Sequence, residues 1–193
     1  MKSRVVNFFL SVLLGTWGNL CAQEDTTYTS LEDALAVHPD SVFRLDLSKS
    51  KFNTFPVEIY RFPNLIELSL SKCKLTALPA DFTFAKLQDL DLSKNQFLQI
   101  PPAVCKIHTL KNLWMGRNRL TAIPECIAEL KQLDTLDIWF NNITEIPDTM
   151  LSMRKLKFLD LRGMNYTNEF QELWRGKLPW VKIEFNLGCD CGH

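Results

Sequence analysis

The chain repeats itself. In residues 110–147, LKNLWMGRNRLTAIPECIAELKQLDTLDIWFNNITEIP, two segments 23 residues apart share one pattern. Leu110, Leu113, Met115, Asn118, Leu120, Ile123 and Pro124 recur as Leu133, Leu136, Ile138, Asn141, Ile143, Ile146 and Pro147. The same template fits residues 42–64, 65–86, 87–109 and 156–177, and a partial unit begins at Leu178. A unit this short cannot close a core of its own. Its apolar face is buried only against a copy of itself, so a fixed period confines the chain to a stacked solenoid.

Within each unit a short strand alternates inward and outward residues. The inward pairs are Leu45/Leu47, Leu68/Leu70, Leu90/Leu92, Leu113/Met115, Leu136/Ile138 and Leu159/Leu161. A second layer runs Phe52, Leu75, Phe97, Leu120, Ile143, Tyr166, and a third Phe55, Leu78, Ile100, Ile123, Ile146. The opposite side carries Ile59, Phe82, Val104, Ile127, Met150 and Leu173. Asn95, Asn118 and Asn141 stand just after their strands, where an amide can donate to and accept from turn backbone at once. The same position is Ser50, Cys73 and Met164 in other units, so this structural ladder is expected to be strongest in the middle.

The form L-x-x-L-x-L-x-x-N-x-L-x-x-I-P resembles the leucine-rich repeat in its 23-residue, proline-containing variant. The layout resembles small secreted bacterial proteins of that family. The resemblance implies an α/β fold: a right-handed solenoid with a concave parallel β-sheet and short helical or 3-10 turns on the convex side. It also implies a non-enzymatic module that binds a protein or peptide partner on the concave face.

The ends depart from the repeat. Lys2 and Arg4 precede an apolar run, and short residues lead to Cys21-Ala22-Gln23. Residues 1–22 read as a secretory signal peptide, too short and wrongly flanked for a membrane span. Lipid attachment at Cys21 fits poorly, because Leu20 sits where a small residue is expected. Residues 23–41 form the expected N-terminal cap: a polar, frayed start and then a short helix opened by Ser30. Six repeats occupy 42–177, a capping strand 178–187, and a cysteine-containing tail 188–193. The expected product is secreted or periplasmic and monomeric, without a membrane span.

The 193 residues carry 22 basic and 22 acidic side chains. With no basic tract, nucleic acid is not an expected partner. Catalysis finds no motif. None of the three His, His38, His108 and His193, falls beside a Ser or Cys nucleophile in a recognisable pattern, and the seven Gly form no phosphate loop. No cofactor is expected.

Binding residues emerge from the outward strand positions. The N-terminal units present Asp, Glu, Ser and Lys there. The C-terminal units add Trp114, Trp139, Phe140, Phe158 and Trp180. Adjacent strands lie about 4.8 Å apart, so these five are expected to form one patch, rimmed by Asp137, Asp160 and Arg162. Exposed apolar patches mark binding sites, and Trp dominates binding energy. A carbohydrate could stack on the same rings, and burial under neighbours is the competing account. Five cysteines follow the leader. Cys73 reads as a buried thiol, and Cys105, Cys126, Cys189 and Cys191 allow three pairings. Cys189, Cys191 and His193 are weak candidates for a metal or thiol site. Asn142 and Asn165 head glycosylation sequons.

Overall fold

The computed structural model describes residues 26–186. The leader expected at 1–22 and the Cys189, Cys191, His193 tail lie outside the described residues. Eight short strands form one parallel sheet in chain order. They are β1 Thr27–Tyr28, β2 Arg44–Asp46, β3 Glu67–Ser69, β4 Asp89–Asp91, β5 Asn112–Trp114, β6 Thr135–Asp137, β7 Phe158–Asp160 and β8 Lys182–Glu184. Leu45, Leu68, Leu90, Leu113, Leu136, Leu159 and Ile183 stand in one register row, so successive strands are 23, 22, 23, 23, 23 and 24 residues apart.

Every residue of that row is buried, as are Leu47, Leu70, Leu92, Met115, Ile138 and Leu161 beside it. Each such side chain is worth roughly 1.5–3 kcal/mol, but only because the next repeat covers it. On the far side, Ile59, Val104, Ile127 and Met150 are buried from short turns of helix. These are the 3-10 turns Val57–Arg61, Glu125–Glu129 and Asp148–Ser152, and helix α2 Pro102–Cys105. Pro stands at the entry of each, with fixed φ and no N–H to satisfy. Cys105 and Cys126 are bonded across adjacent convex turns, with Cα atoms 5.8 Å apart. Cys73 is a buried free thiol.

The asparagines tie repeats together. Asn95 accepts from the Cys73 and Leu75 N–H groups, both at 3.0 Å, and donates to the Leu70, Leu92 and Ser93 carbonyls at 2.8, 3.0 and 3.3 Å. Asn118 accepts from Phe97 N–H at 3.1 Å and donates to Leu92 and Met115 at 3.0 and 2.9 Å. Asn141 accepts from Leu120 N–H at 3.0 Å and donates to Met115 and Ile138 at 3.1 and 2.7 Å. In Cys73 the thiol does part of this work, donating to the Leu47 carbonyl at 3.2 Å. Where Met164 breaks the series, Asn186 donates to the Met164 carbonyl at 3.0 Å and accepts from Gly163 N–H at 2.6 Å.

The ends differ from the sequence reading in three places. Thr27 and Tyr28, expected to fray, pair with Arg44 and Leu45 as strand β1. This strand and helix α1, Leu31–Leu35, cap the first repeat. Ser30 caps α1 by accepting from Asp33 N–H at 3.4 Å. At the other end the last repeat carries a true helix, α3 Asn168–Lys177, capped by Thr167, which accepts from Phe170 N–H at 3.2 Å. An α-helix rises about 1.5 Å per residue against 2.0 Å for a 3-10 turn, so spanning the same breadth takes more residues. The step to β8 therefore lengthens to 24 residues. The third difference follows from α3. Leu173 faces solvent, and Trp174 takes the buried place.

Candidate functional site

Two rows of outward residues cross the concave sheet. The central row is Asp46, Ser69, Asp91, Trp114, Asp137, Asp160 and Glu184. Beside it runs Arg44, Glu67, Asp89, Asn112, Thr135, Phe158 and Lys182. Sequence spacing put Trp180 in this second row and Lys182 in the first. The longer last step moves Lys182 beside Phe158 and Trp180 out of the sheet altogether. Trp180 instead packs on the flank, donating its indole N–H to the Met153 carbonyl at 3.3 Å, with the Arg154 guanidinium 4.0 Å above its ring. It is not part of a patch with Trp114 and Trp139.

Trp139 and Phe140 do gather, with Trp114 beside Trp139, while Phe158 stands apart under Lys182. Trp139 and Phe140 follow β6 and meet edge to face, ring centroids 5.3 Å apart. The Arg117 guanidinium lies over both, 4.7 Å from the Trp139 centroid and 5.5 Å from that of Phe140. Two glycines make room. A Cβ on Gly116 would overlap the Trp139 ring, and one on Gly163 would overlap Phe140. Each ring thus lies over a neighbouring repeat, Trp139 toward the N-terminus and Phe140 toward the C-terminus. Sequence reasoning passed over Arg117 and Gly116. The signal was there in a glycine one period before a Trp.

Backbone conformation sharpens the point. Lys49, Lys72, Lys94, Arg117, Phe140 and Gly163 occupy equivalent turn positions, all with φ between 51° and 80°. Left-handed backbone is uncommon for any residue but Gly, and for a bulky one it calls for an explanation. Phe140 adopts it with φ 51° while its side chain stays 55% exposed. Core packing does not account for that choice.

The acids play unequal roles. Asp160 was expected at a polar rim, yet it is 1% exposed. It accepts from the backbone N–H of Arg162 at 3.0 Å and from the Arg162 guanidinium Nε at 3.0 and 3.1 Å. Asp160 therefore positions Arg162, which is the exposed member. Asp46 and Asp91 likewise close turns, accepting from Ser48 and Ser93 N–H at 2.9 and 2.8 Å. Among the described residues, Asp137 has only the Trp139 N–H at 3.5 Å. Burial, followed by the nearby Asp160, pushes its carboxyl up to about 6.

Trp114 stands between two hollows. The larger, ≈ 460 Å³, opens over the N-terminal strands among Arg44, Asp46, Glu67, Asp89 and Asp91. The smaller, ≈ 290 Å³, lies between Trp114 and Trp139 with Asp137, Asp91, Ser93 and Lys94. Arg44 is paired with Glu67 at 2.8 Å. Among the described residues, no group of three or more His, Cys, Asp or Glu is placed to hold a metal. No helix among them is long and apolar enough to cross a membrane.

Known proteins agree with this architecture. A family model described as leucine rich repeat matches residues 85–143. A leucine-rich repeat protein of Leptospira interrogans superposes with a TM-score of 0.67 and 28% identity, over 76% of this chain and 43% of that one. Internalin C2 of Listeria monocytogenes superposes with a TM-score of 0.65 at 20% identity, over 82% of this chain and 66% of that one. Among curated proteins, the probable serine/threonine-protein kinase roco9 of Dictyostelium discoideum is 34% identical over 74 residues, 36% of this chain and 2% of the kinase. So small a share transfers nothing of the kinase activity in that name. With stacked repeats, parallel sheet and asparagine ties in place, the chain is a leucine-rich repeat protein. The fold is one that protein-interaction modules of this kind share.

Proposed function

We propose that this protein is a secreted recognition module. It docks a protein partner on the concave face over β5 to β7, through Trp114, Trp139 and Phe140, with Asp137 and Arg162 setting orientation. Phe158, in the second row of the same strands, borders the surface. The observation that carries the reading is Phe140, a large apolar side chain held exposed in a strained backbone conformation. Strain of this kind persists where surrounding structure imposes it and collects at ligand-binding positions. The aromatic cluster supplies rigid contact area, and Arg and Trp are the residue types that dominate binding energy.

Export rests on the apolar leader and on the Cys105–Cys126 bond, which suits an oxidising compartment. The expected mature protein begins at Gln23 without lipid, and N-terminal sequencing with intact mass checks it. A mature chain starting at acylated Cys21 would replace secretion with membrane anchoring.

The functional test is quantitative capture. Immobilised wild-type protein is compared with Trp114→Ala, Phe140→Ala and the convex control Glu129→Ala. A partner retained by wild type and the control, and weakened about 30-fold by either aromatic change, supports docking here. Equal retention by all four proteins moves the interface elsewhere.

A further inference from the structure

The central row of the concave sheet carries Asp46, Asp91, Asp137, Asp160 and Glu184 and no cation. Most of these acids are answered from within the chain. Asp46 and Asp91 accept turn N–H groups at 2.9 and 2.8 Å. Asp160 is gripped by Arg162. Glu184 pairs with Lys182 at 2.7 Å. Asp137 is the exception, half-buried with a single long bond of 3.5 Å among the described residues.

Its surroundings have a definite chemistry. Asp137 shares the ≈ 290 Å³ hollow with Trp114 on the strand before it and Trp139 two residues after it. A carboxylate between two indoles suits a cationic side chain. The charge meets the carboxylate in a charge-assisted hydrogen bond, while the stem and the positive end lie on aromatic faces. The chain itself shows half of this arrangement, since Arg117 already lies over Trp139 at 4.7 Å. Trp114 has no such cation among the described residues. Facing Asp137 from neighbouring elements are Asp91 on β4, Asp160 on β7, Arg162 after β7 and Lys94 after β4. The two acids oppose its ionisation, Arg162 favours it, and Lys94 borders the hollow.

We propose that this hollow receives a basic side chain, an arginine or a lysine, from the partner's docking segment. The inference rests on the concave-face reading above and adds what the partner must present there. Since the cation needs an ionised carboxylate, affinity falls as pH drops through about 6, where Asp137 gains its proton.

The test uses N-acetyl-arginine amide as the probe and N-acetyl-citrulline amide as its uncharged counterpart, with the indole N–H resonances of the Trp residues as the readout. The expected result is saturable movement of the Trp114 and Trp139 signals with the arginine probe. Citrulline should bind about tenfold more weakly, the scale of a cation–aromatic contact with a carboxylate beside it. Asp137→Asn should bring the arginine probe down to the citrulline level, with the unfolding midpoint confirming a folded variant. Equal response to both probes, no response to either, or full arginine response in Asp137→Asn would overturn the inference. The two readings part on partner capture. Loss with Trp114→Ala but not with Asp137→Asn keeps the docking face and removes the cation. Indifference to both variants removes both.

Discussion

The ring of Trp139 lies over the backbone of Gly116, one repeat earlier, in space that any Cβ at Gly116 would fill. The glycine is not there for its backbone, because its φ is outside the left-handed region that Gly163 adopts at 80°. It is there for clearance. Gly116→Ala should therefore force the indole out while leaving the strand intact. Overpacking of this kind costs about 1–3 kcal/mol. Chemical unfolding measures the cost, and tryptophan fluorescence should shift toward a more exposed ring. An unchanged spectrum would mean that the ring has room to spare.

The asparagine ties make a graded prediction. Asn95 makes five hydrogen bonds across three segments, whereas Asn118 makes three. Replacing either by Ala leaves buried backbone groups without partners, at about 1–3 kcal/mol. Asn95→Ala should lie at the upper end and Asn118→Ala at the lower. Denaturant midpoints decide it, and the reverse order would contradict the bonding pattern.

The Cys105–Cys126 bond joins residues 21 apart in the chain. Closing a loop of that length restricts the unfolded chain by about 3 kcal/mol on the chain-entropy account. Cys105→Ala with Cys126→Ala should lower stability by up to that amount. Wild type in reductant should match the double variant. If reductant leaves the wild-type midpoint unchanged, the bond contributes nothing to stability.

Much of this could be read from the chain. Leu113 and Leu136 recur with their period, and the inward rows follow from alternation. Cys73 as a buried thiol follows from its place on the asparagine row. Three features escaped for physical reasons. The shift of Trp180 depends on α3 being a true helix with a shorter rise per residue: the partner of Phe158 is Lys182, 24 residues on, whereas Trp180 lies only 22 on. The burial of Asp160 depends on Arg162 folding back two residues, a local choice that periodicity does not register. The left-handed backbone of Phe140, unlike its exposure, was hidden, because that turn position is filled by Lys and Arg elsewhere and so carries no glycine signature.

Asp137 predicts a pH dependence of stability. Its folded carboxyl is raised from 3.8 to about 6, chiefly by burial and then by Asp160. A raised pKa means the folded state holds the proton more tightly than the unfolded chain. The contribution is present in full below about pH 4 and is lost as pH rises through about 6. Asp137→Asn removes the titration. The variant should gain on wild type between pH 4 and pH 7.5, as read from urea midpoints at both values. A constant difference across that range would show that Asp137 titrates alike in both states.

Phe140 separates stability from function. A non-glycine residue in left-handed backbone costs about 1–2 kcal/mol, and at 55% exposure this ring recovers little of it through burial. Asn tolerates that conformation better, because its short polar side chain bonds locally. Phe140→Asn should therefore leave the unfolding midpoint unchanged or raise stability by up to about 1 kcal/mol. The same change strips the aromatic pair of its exposed member and removes one of the two rings under Arg117. Partner affinity should fall by about 2 kcal/mol, the scale of an interface anchor. Isothermal titration against the captured partner, beside a denaturation curve, reads both. A variant less stable than wild type by more than about 1 kcal/mol, with affinity intact, would make Phe140 a packing residue over Gly163. Opposite signs for stability and binding are what a strained, exposed anchor requires.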